Sequence, residues 1–117
     1  MLQGVFPISM KDLKEILNLK VYCEANDGRV AESGYAGDLL SWVMGNAPAG
    51  CVWFTVMTNV NVIAVAHLAD AACVIVTEGA EPGEEMLRQA SEQGINVYGT
   101  ELNTFEATAA VAARRAE

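Results

Sequence analysis

A chain of 117 residues with 52% hydrophobic content is long enough for one domain with a core of its own, and it reads as a single domain over residues 1–117. Fifteen Asp and Glu against seven Lys and Arg give a net charge of −8 and a pI near 4.5. That balance argues against nucleic acid and anionic membrane surfaces as partners, because neutralising phosphate needs clustered cations.

Ser9-Met10-Lys11-Asp12 has the form of a capping box, with Ile8 and Leu13 placed to staple it. Leu13, Ile16 and Leu17 continue at helical spacing, so a helix is expected from Met10 to Asn18. Lys20–Glu24 reads as a short strand, and Asn26-Asp27-Gly28 is a tight-turn signal. Arg29–Ser33 is then expected to return as the second strand of a hairpin. A helix follows Gly37, with Leu39, Leu40, Val43, Met44 and Ala47 on one face, and Pro48 prevents its continuation.

Cys51–Val56 is apolar at every position, the mark of a strand covered on both sides. Val62 to Leu68 is rich in β-branched residues and could pass for a strand. A parallel pairing of Cys51–Val56 with Ala72–Val76 needs a crossover, however, so a helix capped by Asn59 or Asn61 is expected. Pro82, Glu84 and Glu85 suit a first helical turn, and Gly94 supplies the stop. Met86, Leu87 and Ala90 form the buried stripe of that helix. Ile95–Tyr98 is the last strand. Asn103 opens an alanine-rich helix that reaches Arg114-Arg115, two cations suited to its negative end.

From Leu39 to Ala69 there is no Asp, Glu, Lys or Arg. Gly45, Asn46, Pro48, Gly50, Asn59, Asn61 and His67 interrupt the stretch, so it reads as the centre of a doubly covered sheet and not as a membrane span. Cys23, Cys51 and Cys73 lie in or beside apolar runs without C-x-x-C spacing. With no signal-peptide pattern they read as reduced thiols of a cytoplasmic protein. The fold expected is an α/β three-layer α/β/α sandwich on a mostly parallel, mixed sheet of about five strands, with the hairpin as its antiparallel part.

Three apolar runs end alike, each at a threonine followed by polar residues and a helix start. In an open parallel sheet such ends lie side by side, and ligands settle beside them. The ligand-binding residues expected are Thr58, Asn59, Thr77, Glu78, Gly79, Thr100 and Glu101. No P-loop or dinucleotide fingerprint is present, and His67 is the sole histidine. No catalytic residue, metal site or cofactor is therefore expected. Val62–Leu68 is apolar almost all round and Trp42 lies on the preceding helix. This predicts a homodimer interface at Trp42, Val62, Val65 and His67.

Gly50–Val56, Asn61–Ala66 and Ala72–Pro82 resemble the DRTGG domain, a module similar to the N-terminal domain of HPr kinase/phosphorylase and found beside CBS domains. The family pattern carries Asp-Arg after the third strand and Thr-Gly-Gly after the fourth. Here Thr58-Asn59 and Thr77-Glu78-Gly79 stand at those places, so only Thr77 and Gly79 carry over directly. The resemblance implies an α/β/α sandwich, frequent self-association and a regulatory or ligand-sensing role, without kinase activity. The expected function is a non-catalytic regulatory or ligand-sensing domain, a homodimer that binds a small metabolite, a nucleotide or a regulatory protein. The alternatives are a small enzyme using Glu78 with Thr77 or Thr58, and a purely structural adaptor.

Overall fold

In the computed structural model, which describes residues 4–114, five strands build one sheet with helices on both faces. The elements run β1 (Ile8–Ser9), α1 (Met10–Leu17), β2 (Lys20–Cys23), β3 (Val30–Ala31), β4 (Ser33–Ala36), α2 (Leu40–Asn46), β5 (Cys51–Thr55) and α3 (Asn61–Ala69). After these come β6 (Cys73–Val76), α4 (Glu84–Gln93), β7 (Val97–Gly99) and α5 (Thr104–Ala113). The main sheet has the order β2-β7-β6-β5-β4. β4, β5, β6 and β7 are parallel, and β2 joins β7 antiparallel. β1 and β3 form a separate two-stranded ribbon.

The strands alternate between two cores, which explains why they are apolar at every position. Val52, Phe54, Cys73, Ile75 and Tyr98 enter a core shared with α1 and α5. Cys51, Trp53, Val74, Val76 and Val97 enter the other, shared with α2, α3 and α4. Cβ direction alternates along a strand, so a one-residue slip would exchange the two sets. Trp53 is buried and satisfies its indole by donating to Gly37 O at 2.9 Å.

The helix ends follow the local chemistry of the chain. Ser9 Oγ accepts from Asp12 N at 3.0 Å, and Ile8 and Leu13 are both buried at that staple. Asn103 and Glu106 close a reciprocal capping box on α5. Gly94 ends α4 in the left-handed region at φ 73°. The crossover between β5 and β6 is helical, as the parallel pairing requires. Arg114 stands at the end of α5 and reaches Asp12 at 3.5 Å, while Arg115 lies outside the described residues.

The expected hairpin is not formed. A turn is present, with Arg29 N donating to Asn26 O at 3.3 Å, but the strands on either side of it part. β2 lies at one edge of the sheet and β4 at the other, so the chain crosses beneath the amino-terminal ends of the intervening strands. Buried Asn96 holds that crossing. Its Oδ1 accepts from Asn26 N at 2.8 Å, and its Nδ2 donates to Asn26 O at 2.7 Å and Ala72 O at 3.2 Å. Arg29 adds a bond to Asp70 O at 2.9 Å and an ion pair with the Asp70 carboxylate at 3.1 Å. A side-chain amide thus supplies the partners that a hairpin neighbour would have given. The antiparallel part of the sheet is β2 on β7, and the Ser33–Ala36 strand takes the far edge.

The three cysteines are unpaired thiols. Burial raises the Cys51 thiol to about 11 and pushes Cys73 further up. An unfolded thiol ionises near about 8.5, so the protonated folded state loses ground only above that pH. Stability measured in guanidinium is expected to hold to about pH 8.5 and then to fall steadily toward pH 11. A Cys51→Ala, Cys73→Ala variant is expected to lose much of that alkaline slope, and an unchanged slope would contradict the assignment. Asn96→Ala leaves the Asn26 and Ala72 groups without partners and is expected to cost about 2 kcal/mol in urea unfolding. A loss within about 0.3 kcal/mol of zero would show that water replaces the amide fully.

Candidate functional site

The carboxyl ends of β4 to β7 form one rim, and β2 adds its first residue, since Lys20 lies opposite Gly99. Backbone bonds tie the neighbouring ends together. Thr77 N donates to Thr55 O at 2.9 Å, and Thr100 N to Val76 O at 3.0 Å. Beyond the ladder, the loops after β6 and β7 clasp each other. Glu78 N donates to Leu102 O at 2.8 Å and Gly79 N to Thr100 O at 2.9 Å. The Thr77 and Thr104 hydroxyls meet at 2.8 Å beneath them.

This clasp depends on backbone conformation. Glu78 has φ 66° and Gly79 has φ 67°, two successive residues in the left-handed region. Only glycine enters that region without steric cost, which gives a physical reason for a Gly-Gly pair at this turn. Here Glu78 occupies the first position. A Cβ on Gly79 would lie 2.7 Å from Glu101 Oε1, but a carboxylate can swing aside, so the backbone angle is the stronger constraint.

The rim brings Thr77, Glu78, Gly79, Thr100 and Glu101 together, with Thr58 and Asn59 at the adjacent end of β5. Thr77 and Thr100 are buried, and their side chains are engaged within the fold; Thr100 Oγ1 accepts from Leu102 N at 3.2 Å. Thr58 accepts from Gly83 N through its carbonyl at 3.5 Å. Asn59 Oδ1 accepts from Asn61 N at 2.9 Å, closing the turn before α3. Glu78 and Glu101 are exposed.

Three contributors were not legible in the sequence. Asp38 follows β4, and its Oδ1 accepts from Thr55 Oγ1 at 2.7 Å and Val56 N at 2.9 Å. Its signal was the Gly37-Asp38 pair, which has meaning only once Ser33–Ala36 is known to be a strand. Lys20 and Tyr22 reach the rim because β2 runs antiparallel beside β7. With Gly79, Thr100 and Glu101 they line a cleft of about 80 Å³. Lys20 Nζ lies 4.9 Å from the Tyr22 ring centroid, a cation–π contact. The Tyr22 ring rests on Gly99, where a Cβ would come within 2.5 Å of Cε2.

The predicted interface set divides. Val62 and Val65 are buried in the domain's own core beneath α3, so they offer no surface to a second copy. One side of the helix packs on the sheet and its flanks meet α2 and α4, while Ala64, His67 and Leu68 stay exposed. Trp42 and His67 are exposed. Among the described residues no group of three His, Cys, Asp or Glu side chains could hold a metal ion. No described helix is long and apolar enough to cross a membrane.

A mixed α/β sandwich with a clasp of left-handed residues at its strand ends defines the class of domain. The DRTGG domain family matches residues 49–113, more than half of the chain, and the chain belongs to that family. A solved structure of similar fold holds the CBS and DRTGG domains of the regulatory region of Clostridium perfringens pyrophosphatase, complexed with the activator diadenosine tetraphosphate. The TM-score is 0.74 at 15% identity, over 89% of this chain and 46% of that one. The chain thus spans less than half the length of that structure. No curated protein matches the sequence.

Glu78→Gly is expected to raise stability by about 0.5 to 1 kcal/mol, and Gly79→Ala to lower it by about 1 to 2 kcal/mol. Urea midpoints check both, and a loss of stability in Glu78→Gly would contradict the strain assigned to residue 78.

Proposed function

We propose that this domain is a non-catalytic regulatory module that senses a small ligand at the strand-end rim and works as a homodimer. The observation that carries the reading is the cleft between β2 and the clasped loops. There Lys20, with its ammonium over the Tyr22 ring at 4.9 Å, and Glu101 line the same cleft. Such a cleft suits a ligand that offers hydroxyl or amine donors to the carboxylate and a small anionic group to the lysine. A nucleotide meets that description, with its ribose toward Glu101 or Glu78 and a phosphate toward Lys20. The dinucleotide activator in the clostridial regulatory region supports the same class of ligand.

Size limits the proposal. Pockets that enclose a drug-sized ligand run to roughly 300–1,000 Å³. A cleft of about 80 Å³ grips one end of a nucleotide and leaves the rest to a second copy or a neighbouring domain. The reading of a purely structural adaptor draws on the clasp itself. The Glu78 and Gly79 amides already serve Leu102 and Thr100, so they are not free to cradle a phosphate. Lys20 would then carry any anion contact.

Thermal denaturation with ATP, ADP, AMP and diadenosine tetraphosphate tests the sensor reading. A ligand at 100 times its dissociation constant adds about 2.7 kcal/mol, a rise of several degrees. Lys20→Ala is expected to abolish the rise while leaving the melting point of the free protein within a degree or so. A flat response to all four nucleotides contradicts nucleotide sensing and favours the adaptor.

A further inference from the structure

We infer that the outer edge of β4 takes up an extended segment of another protein as an added strand, and that this segment is basic at its ends and apolar between them. The surface is separate from the rim cleft, and the inference does not rest on the ligand or the dimer proposed above.

β4 is an edge strand, and among the described residues no element pairs with its outer side. The carbonyls of Cys51 and Thr55 serve β6, accepting from Ala72 N at 2.8 Å and Thr77 N at 2.9 Å. The alternate carbonyls of β5 therefore face β4, and Gly37 N donates to Phe54 O at 3.1 Å. Alternation from that bond turns the backbone groups of Ser33 and Tyr35 inward. The N–H and C=O of Gly34 and Ala36 are left facing outward, and both residues are exposed. Edge strands are normally blunted by a lysine, a proline or a bulge. Ser33-Gly34-Tyr35-Ala36 has none of these, and its ladder with β5 runs without a register shift.

When a strand is added to a sheet edge, the main chain supplies affinity and pockets for alternate side chains supply selectivity. Both kinds of contact are on offer here. An apolar groove of about 260 Å³ runs between β4 and α5, lined by Phe6, Gly34, Ala36, Phe54 and Val111 among others. Gly34 and Ala36 have little side chain, so a neighbouring strand can come close and lay an apolar residue in the groove. Phe6 also borders a second hollow, with Pro7, Val30 and Glu32. That hollow is apolar up to its acid, as the stem and ammonium of a lysine require.

Charge selects the occupant. Glu32 and Asp38 bracket β4, and both are exposed. The ion pairs among the described residues engage neither of them. Asp38 accepts from Thr55 and Val56 through Oδ1 alone. From Val30 to Leu87 the chain has no Lys or Arg, so β4, β5, β6, α2 and α3 bring no such cation to these acids. The two acids are six positions apart, a separation that an extended chain spans in about 20 Å. The matching segment therefore has two cations six positions apart, with apolar residues at the alternate positions between. A second copy is a poor occupant, because two-fold antiparallel pairing of β4 sets Glu32 opposite Asp38 of the partner subunit. Like charges directly opposite are destabilising.

The probe is a synthetic peptide, Lys-Thr-Val-Thr-Val-Thr-Lys, whose symmetric pattern fits either strand direction. Fluorescence anisotropy of its labelled form at low salt is expected to give a dissociation constant below about 1 mM. The acidic counterpart, Glu-Thr-Val-Thr-Val-Thr-Glu, is expected not to bind. Ala36→Pro removes an outward N–H at a place where edge strands tolerate proline, and is expected to weaken binding about tenfold. Glu32→Lys is expected to weaken it about fivefold. In the wild type, saturating peptide should slow amide exchange at Gly34 and Ala36, a readout that stands even where Ala36→Pro does not fold. No binding of the basic peptide, or equal binding of both peptides, overturns the inference. So does unchanged exchange at Gly34 and Ala36, or wild-type affinity in a folded Ala36→Pro variant.

Discussion

Two consecutive residues in left-handed backbone, Glu78 and Gly79, are the constraint on which the rim depends. They turn the loop after β6 so that its amides meet the carbonyls of Thr100 and Leu102. Without that turn the loops after β6 and β7 would diverge into solvent. The cleft beside Lys20 and Tyr22 would then lose its Gly79 and Glu101 wall. Steric cost concentrates at residue 78, where a glutamate stands in a conformation that glycine adopts freely. The Thr77–Thr104 hydroxyl contact beneath the loop helps to offset that strain. The family's Thr-Gly-Gly pattern therefore reads as a structural clasp first, and any ligand would meet side chains around it more than its amides.

The helices were legible in the sequence because their signals are local. Ser9 and Asn103 cap through their own side chains, and Gly94 ends α4 through its own backbone freedom. The parallel strands β5 and β6 were legible from their unbroken apolar runs, and topology resolved α3 as a helix. The misread part is the path from Cys23 to Gly37. A strong local turn at Asn26–Gly28 suggested a hairpin, but the partner that decides the path is Asn96, some seventy residues further along. β4 escaped notice because Ser-Gly-Tyr-Ala has neither strand propensity nor apolar alternation. It is a strand because Cys51–Phe54 offers it a ladder.

That one misreading also hid part of the site. Once β2 is placed beside β7, Lys20 and Tyr22 stand at the rim. Once β4 is placed at the far edge, Asp38 becomes a strand-end residue. The rim threonines and glutamates were found because each follows an apolar run directly. The buried fate of Val62 and Val65 was not readable from a helix apolar on nearly every side. Hydrophobicity alone does not say which side meets the sheet. The domain keeps its charge away from α2, α3 and β4, and it gathers Lys20, Glu78 and Glu101 at the opposite part of the rim.

Native-state amide hydrogen exchange at Glu78 and Gly79 tests the clasp most directly. If both amides are bonded to Leu102 and Thr100 as described, they exchange only through large openings, at free energies near those of the β6 core amides. Exchange at the rates of an open surface loop would contradict the clasp and, with it, the rim that it builds.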